Sequence, residues 1–147
     1  MGKEFSKGYY KPRHPEKYKG DINRIVFRSS WELDFCKWLD NNQRVLEWAS
    51  EPFAIPYIKP TDNRMHRYFP DFWVKYMNEE GKVVQEVIEI KPLKQQIAPT
   101  FVGKSKKAAL YEAITWAINS AKWEAAEKYC TKYGMKFRKL AETQQYK

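Results

Sequence analysis

Glu89 and Lys91 stand two residues apart in Val87-Ile88-Glu89-Ile90-Lys91-Pro92. On an extended strand both side chains leave the same face, while Ile88 and Ile90 point to the opposite, apolar one. Upstream, Asn78-Glu79-Glu80-Gly81 reads as a turn joining two strands, residues 67–77 and 82–91. A hairpin centred on Glu80 sets Asp71 opposite Glu89, each nine residues from the centre; a slip of one residue or a bulge would shift that pairing. Two neighbouring carboxylates offer the hard oxygen donors that Mg²⁺ and Mn²⁺ prefer, with a lysine beside them. The plainer alternative is a solvent-facing ion cluster in which Lys91 balances two acids. Against it, Asp71 lies in Tyr68-Phe69-Pro70-Asp71-Phe72-Trp73, and an acid in so apolar a strand is costly to desolvate without a metal or a partner.

The surrounding elements follow from periodicity. Ser29-Ser30-Trp31-Glu32 opens a helix to about Asn41, with Trp31, Phe35, Trp38 and Leu39 at helical spacing. Ser29-x-x-Glu32 also fits a capping box, in which Glu32 reaches back to a backbone N–H. Short extended pieces at 44–48 and 53–58 are punctuated by Pro52, Pro56 and Pro60, and 59–63 reads as a turn. Pro92 stops the second hairpin strand and 93–104 reads as a loop. A long helix is expected from about Ser105 to Tyr133, with Leu110, Ile114, Ala117, Ala121 and Ala125 as its apolar stripe, and Gly134 as its stop. Residues 135–140 alternate like a strand. The order helix, strands, long helix, strand predicts one α/β domain over 21–147, a mixed sheet flanked by helices.

The chain carries 27 Lys and Arg against 18 Asp and Glu, a formal charge of +9 that attracts polyanions. Residues 1–20, including Tyr9-Tyr10-Lys11-Pro12-Arg13-His14-Pro15, read as an extended, flexible basic arm. Such an arm either lies along phosphates and stacks on bases or is a disordered terminus. No window approaches the apolar length of a membrane span, and the start lacks the apolar core of a signal peptide. Cys36 and Cys130 make no disulfide framework, and with His14 and His66 they show no zinc-ligand spacing.

Pro70-Asp71 followed by Glu89-Ile90-Lys91 resembles the motif of the PD-(D/E)xK nuclease superfamily, with its restriction-endonuclease-like α/β core. Many members carry a glutamate on the helix before the hairpin, and Phe27-Arg28-Ser29-Ser30-Trp31-Glu32 supplies one. Similar segments occur in TnsA-type transposon end-cleaving subunits and phage junction-resolving endonucleases. In size, basic opening and this segment, the chain looks most like the head completion nucleases of T-even-type phages. The resemblance implies a DNA nuclease using Mg²⁺, with Mn²⁺ as a substitute, that leaves 5′-phosphates. Asp71, Glu89, the Ile90 carbonyl and Glu32 would bind the metal, and Lys91 would orient the attacking water. Helices after this hairpin often lend the site a polar residue, and Lys122 in Asn119-Ser120-Ala121-Lys122-Trp123 is the candidate. Arg13, Arg28, Lys94, Lys104, Lys106, Lys107 and Lys122 are candidates for the DNA backbone. The same likeness implies DNA as partner, together with phage head, portal or neck proteins, and a place in the bacterial host cytoplasm or the virion. The implied task is processing packaged DNA ends before tail joining. A structure-selective junction endonuclease and a non-catalytic DNA-binding virion protein are the alternatives.

Overall fold

The computed structural model describes residues 8–142. Its centre is a four-stranded sheet ordered β3 (Val45–Ser50), β6 (Phe72–Met77), β7 (Val83–Ile90) and β8 (Lys136–Leu140). β6 runs antiparallel to β3 and β7, and β8 runs parallel to β7, so the sheet is mixed as expected. Parallel neighbours need a long crossover; here it is α2 (Lys106–Lys132), capped by Ser105 and stopped before Gly134, whose φ of +71° suits glycine. On one face Phe72, Val74, Ile88 and Leu140 pack against Phe35, Cys36 and Leu39 of α1 (Ser30–Asn41). Toward α2, a second cluster joins Ala126 to Ile55, Tyr57 and Tyr68 of a separate hairpin, β4 (Ile55–Lys59) with β5 (Arg64–Tyr68). Cys36 and Cys130 are buried free thiols. No helix among the described residues is long and apolar enough to cross a membrane.

Three expectations are corrected. The single strand expected over 67–77 is two strands in different sheets, because buried Pro70, with no N–H to donate, interrupts the ladder between Tyr68 and Phe72. The stripe expected on α2 holds only in part: Ala121 and Ala125 pack on the second apolar cluster, while its earlier members face outward. Asn119, Trp123, Ala126 and Cys130 are the helix's buried residues, whereas Leu110 is 62% and Ile114 40% exposed. Burial on α2 begins only at Asn119, where the helix meets β4 and β8; no residue before it is buried.

Residues 8–20, expected to be a flexible arm, pack on the domain; residues 1–7 of that arm lie outside the described residues. β1 (Gly8–Tyr9) pairs with β2 (Val26–Phe27), and Tyr18 sets its ring edge-on against Trp48, 4.8 Å between centroids. Lys17 Nζ donates to the carbonyls of Leu39, Asp40 and Asn42 at 2.8–2.9 Å. The last turn of α1 has no basic residue of its own, so Lys17 supplies the cation that a helix C-terminus favours. Asp40, fully buried, accepts from the Tyr10 hydroxyl and from the backbone N–H of Arg13 and His14. Asp40→Ala leaves these donors unpaired, so it should destabilise the fold by about 3–5 kcal/mol. Urea melts would show this as a lowered midpoint at unchanged slope; a midpoint within error of wild type would contradict it.

Candidate active site

The β6–β7 ladder steps evenly from Met77↔Val83 to Phe72↔Ile88. One further step in the same register sets Asp71 against Glu89, the arrangement the hairpin count anticipates. Asp71 Oδ2 accepts from the Ile90 N–H at 2.7 Å, and the Asp71 and Glu89 carboxyls are near enough for each to influence the other's proton. Glu89 is only 5% exposed. The Tyr68 hydroxyl, arriving from the end of β5, donates to Glu89 Oε1 at 2.7 Å. On the other side Lys91 Nζ lies 3.9 Å from Glu89 Oε2, with 28% of its side chain exposed. Glu89 is thus buried and Asp71 half-buried, so the acids are not the solvated cluster of the plainer alternative.

Burial pushes the Glu89 carboxyl up to about 8, and the charge of Asp71 adds to the rise. Burial likewise raises Asp71. Two neighbouring carboxyls withdrawn from water hold a proton near neutrality unless a cation replaces it.

The donor set suits a hard divalent cation. In an extended strand the N–H and C=O of one residue face the same flank, so the Ile90 carbonyl faces the flank on which its N–H meets Asp71. Among the described residues no group of three His, Cys, Asp or Glu is close enough to hold a metal by side chains alone. Two carboxylates and a carbonyl nevertheless match Mg²⁺, which keeps several waters and takes one or two protein carboxylates.

Glu32 sits at the rim. Ser29 Oγ accepts from the Glu32 N–H at 3.0 Å, and Glu32 Oε1 accepts from the Arg28 N–H at 3.1 Å. This is a cap displaced by one residue from the expected box. Burial raises the Glu32 carboxyl, and the charge of Asp71 adds to the rise. Arg28 Nη1 meets Glu51 Oε2 at 2.7 Å, and the Glu51 N–H donates to the Asp71 carbonyl at 2.9 Å. Glu51 adopts the left-handed φ of +46°, uncommon outside glycine.

Lys122 is brought to the site. Its Nζ stands 5.9 Å from the Tyr57 ring centre and 5.7 Å from that of Tyr68. Burial lowers its pKa, Lys91 lowers it further, and Glu89 and Asp71 oppose the fall. The other candidate cations are not gathered there. Lys94 lies on a short 3-10 turn after Lys91, and Lys104 is ion-paired with Glu112 at 2.8 Å. Lys106 and Lys107 are exposed where α2 begins, about 24 Å along the helix from Lys122. Arg13 lies beside Asp40, about 12 Å along α1 from Glu32.

Sequence reasoning missed Tyr68 and Glu51. Tyr68 becomes visible only once Pro70 is seen to end one strand, and nothing local marks Glu51.

The family described as TnsA-like endonuclease N terminal matches residues 42–142, a span holding Asp71, Glu89 and Lys91. The chain belongs to this family. The endonuclease is also 38% identical over 139 residues to the head completion nuclease of Enterobacteria phage T4, covering 92% of this chain and 90% of that protein. A span that long includes α1 and Glu32, which the family match leaves out. No solved structure matches the chain. Membership makes the protein a nuclease, and its mixed sheet between helices is the restriction-endonuclease-like core.

Proposed function

We propose that this endonuclease hydrolyses DNA phosphodiester bonds with Mg²⁺, Mn²⁺ substituting, and processes packaged DNA ends during phage head completion before tail joining. The observation that supports the chemistry is half-buried Asp71 beside buried Glu89, with Lys91 at the open side. The biological task rests on the likeness to the T4 head completion nuclease.

Asp71, Glu89 and the Ile90 carbonyl would hold the cation, with Glu32 at the rim completing a direct or water-mediated shell. When bound, the cation supplies Lewis acidity to the scissile phosphate and to an attacking water. Lys91 extends its ammonium past Glu89 toward solvent, where it orients that water and balances charge developing on the phosphate. Lys122, backed by two aromatic rings, offers a second cation to the backbone. Arg28 ties the N-terminus of α1 to the same edge through Glu51, whose N–H meets the Asp71 carbonyl. Arg13, Lys94, Lys104, Lys106 and Lys107 contact flanking phosphates, Lys104 only by releasing Glu112. Its partners are DNA and phage head, portal or neck proteins, met in the host cytoplasm, with incorporation in the virion following.

The test is a panel of labelled linear duplex, single-stranded and four-way-junction DNAs, with Mg²⁺ and with EDTA. The reading expects Mg²⁺-dependent cleavage of linear duplex leaving 5′-phosphates. DNA bound but never cut would overturn it, and selective cutting of four-way junctions would overturn the end-processing task. Replacing Lys106 and Lys107 together by Ala should lower the slope of log affinity against log salt by about 2. An unchanged slope would remove both lysines from the DNA path.

A further inference from the structure

We infer that Tyr68 is a positioning residue for the nuclease site, and that the β4–β5 hairpin serves to hold it there. The inference rests on the cation-binding reading above and adds what aims its ligand. Tyr68 is 4% exposed, and its hydroxyl donates to Glu89 Oε1 at 2.7 Å. With Oε1 held, Oε2 is the oxygen left toward Lys91 and the open side. A carboxylate tied at one oxygen loses its freedom to rotate away from a ligand position. The ring of the same tyrosine, together with Tyr57, stands under the Lys122 ammonium.

The hairpin's register explains why both rings face the site. Ile55 pairs with Tyr68 and Tyr57 with His66, so Tyr57 and Tyr68 project from one face of the small sheet. That face packs on α2 through Ala126 and its neighbours, in the second apolar cluster. Pro70 then turns the chain from β5 into β6, so Tyr68, ending one sheet, and Asp71, just before the strand of another, both reach Glu89 within four residues of sequence. The small sheet is thus a brace from which one side chain reaches two site groups.

The test titrates Mn²⁺ alone into the full chain by calorimetry, without DNA, for wild type, Tyr68→Phe and Tyr76→Phe. Tyr68→Phe keeps the ring and its packing and removes only the oxygen. Tyr76→Phe makes the same loss at another buried carboxylate, since Tyr76 donates to Glu86 at 2.5 Å on the opposite face of the sheet. Tyr68→Phe should weaken Mn²⁺ binding by roughly 10–100-fold, while Tyr76→Phe binds like wild type. DNA affinity measured in EDTA should be the same for Tyr68→Phe as for wild type, because the ring under Lys122 remains. Wild-type Mn²⁺ affinity in Tyr68→Phe would overturn the inference, as would an equal loss in both variants, which would mark a general structural effect. Absence of Mn²⁺ binding in the wild type would overturn the cation reading itself, and this inference with it.

Discussion

Lys91→Ala is expected to slow DNA cleavage by about 10²–10³-fold while DNA binding and melting temperature stay near wild type. The size follows from where the ammonium stands. Lys91 is on the same strand face as Glu89, 3.9 Å from its outer oxygen, and partly exposed. It can therefore meet charge that develops on the phosphate without being needed for packing. Lys91→Arg should recover only part of the rate, because a broad planar fork does not replace a compact ammonium. Steady-state cleavage beside binding measured in EDTA separates the two effects. Wild-type turnover in Lys91→Ala would remove the residue from the chemistry, and a loss confined to binding would make it a phosphate anchor only.

Glu89→Gln is expected to stabilise the metal-free protein at pH 8 while abolishing cleavage. The Glu89 carboxyl ordinarily loses its proton near 4.5, but in the fold burial holds it to about 8. Between those values the folded chain binds one proton more than the unfolded chain. The wild type should therefore lose stability as pH rises through that window, by up to about 1.4 kcal/mol per pH unit. Below the lower value the stabilisation is fully present; above the upper one it is gone. Asp71 is raised by the same burial and acts in the same direction. Glutamine carries the amide without the titration, so its melting temperature at pH 8 should exceed that of the wild type by on the order of 5–10 °C. Mg²⁺ should close the gap by stabilising the wild type alone. Thermal melts from pH 5 to 8, with and without Mg²⁺, would test this. A wild type that gains stability with pH in EDTA would contradict the buried-pair account.

The core of the site was legible because it depends on counting. A turn at Asn78–Gly81 and a period of two suffice to set Asp71 against Glu89, and α1 begins where the Ser29 cap indicates. What escaped depends on tertiary packing. Pro70 looked compatible with one long strand, yet it separates two sheets, and with that break went the role of Tyr68. On α2 the apolar residues near its start keep helical spacing without any sheet beneath them, so periodicity alone carried the buried stripe past Ala121 and Ala125 to Leu110 and Ile114, which are exposed. The basic, proline-rich start looked like a free arm. Its Lys17, Tyr10 and Tyr18 are instead consumed by the terminal carbonyls of α1, by Asp40 and by Trp48, partners distant in sequence.

The most direct test of a cation site at Asp71 and Glu89 is anomalous diffraction from crystals of the protein soaked in Mn²⁺. The account predicts a peak within bonding distance of both carboxylates and the Ile90 carbonyl, lost in Asp71→Asn. Soaked crystals with no peak there, or with the ion held by other residues while DNA is still cut, would contradict it.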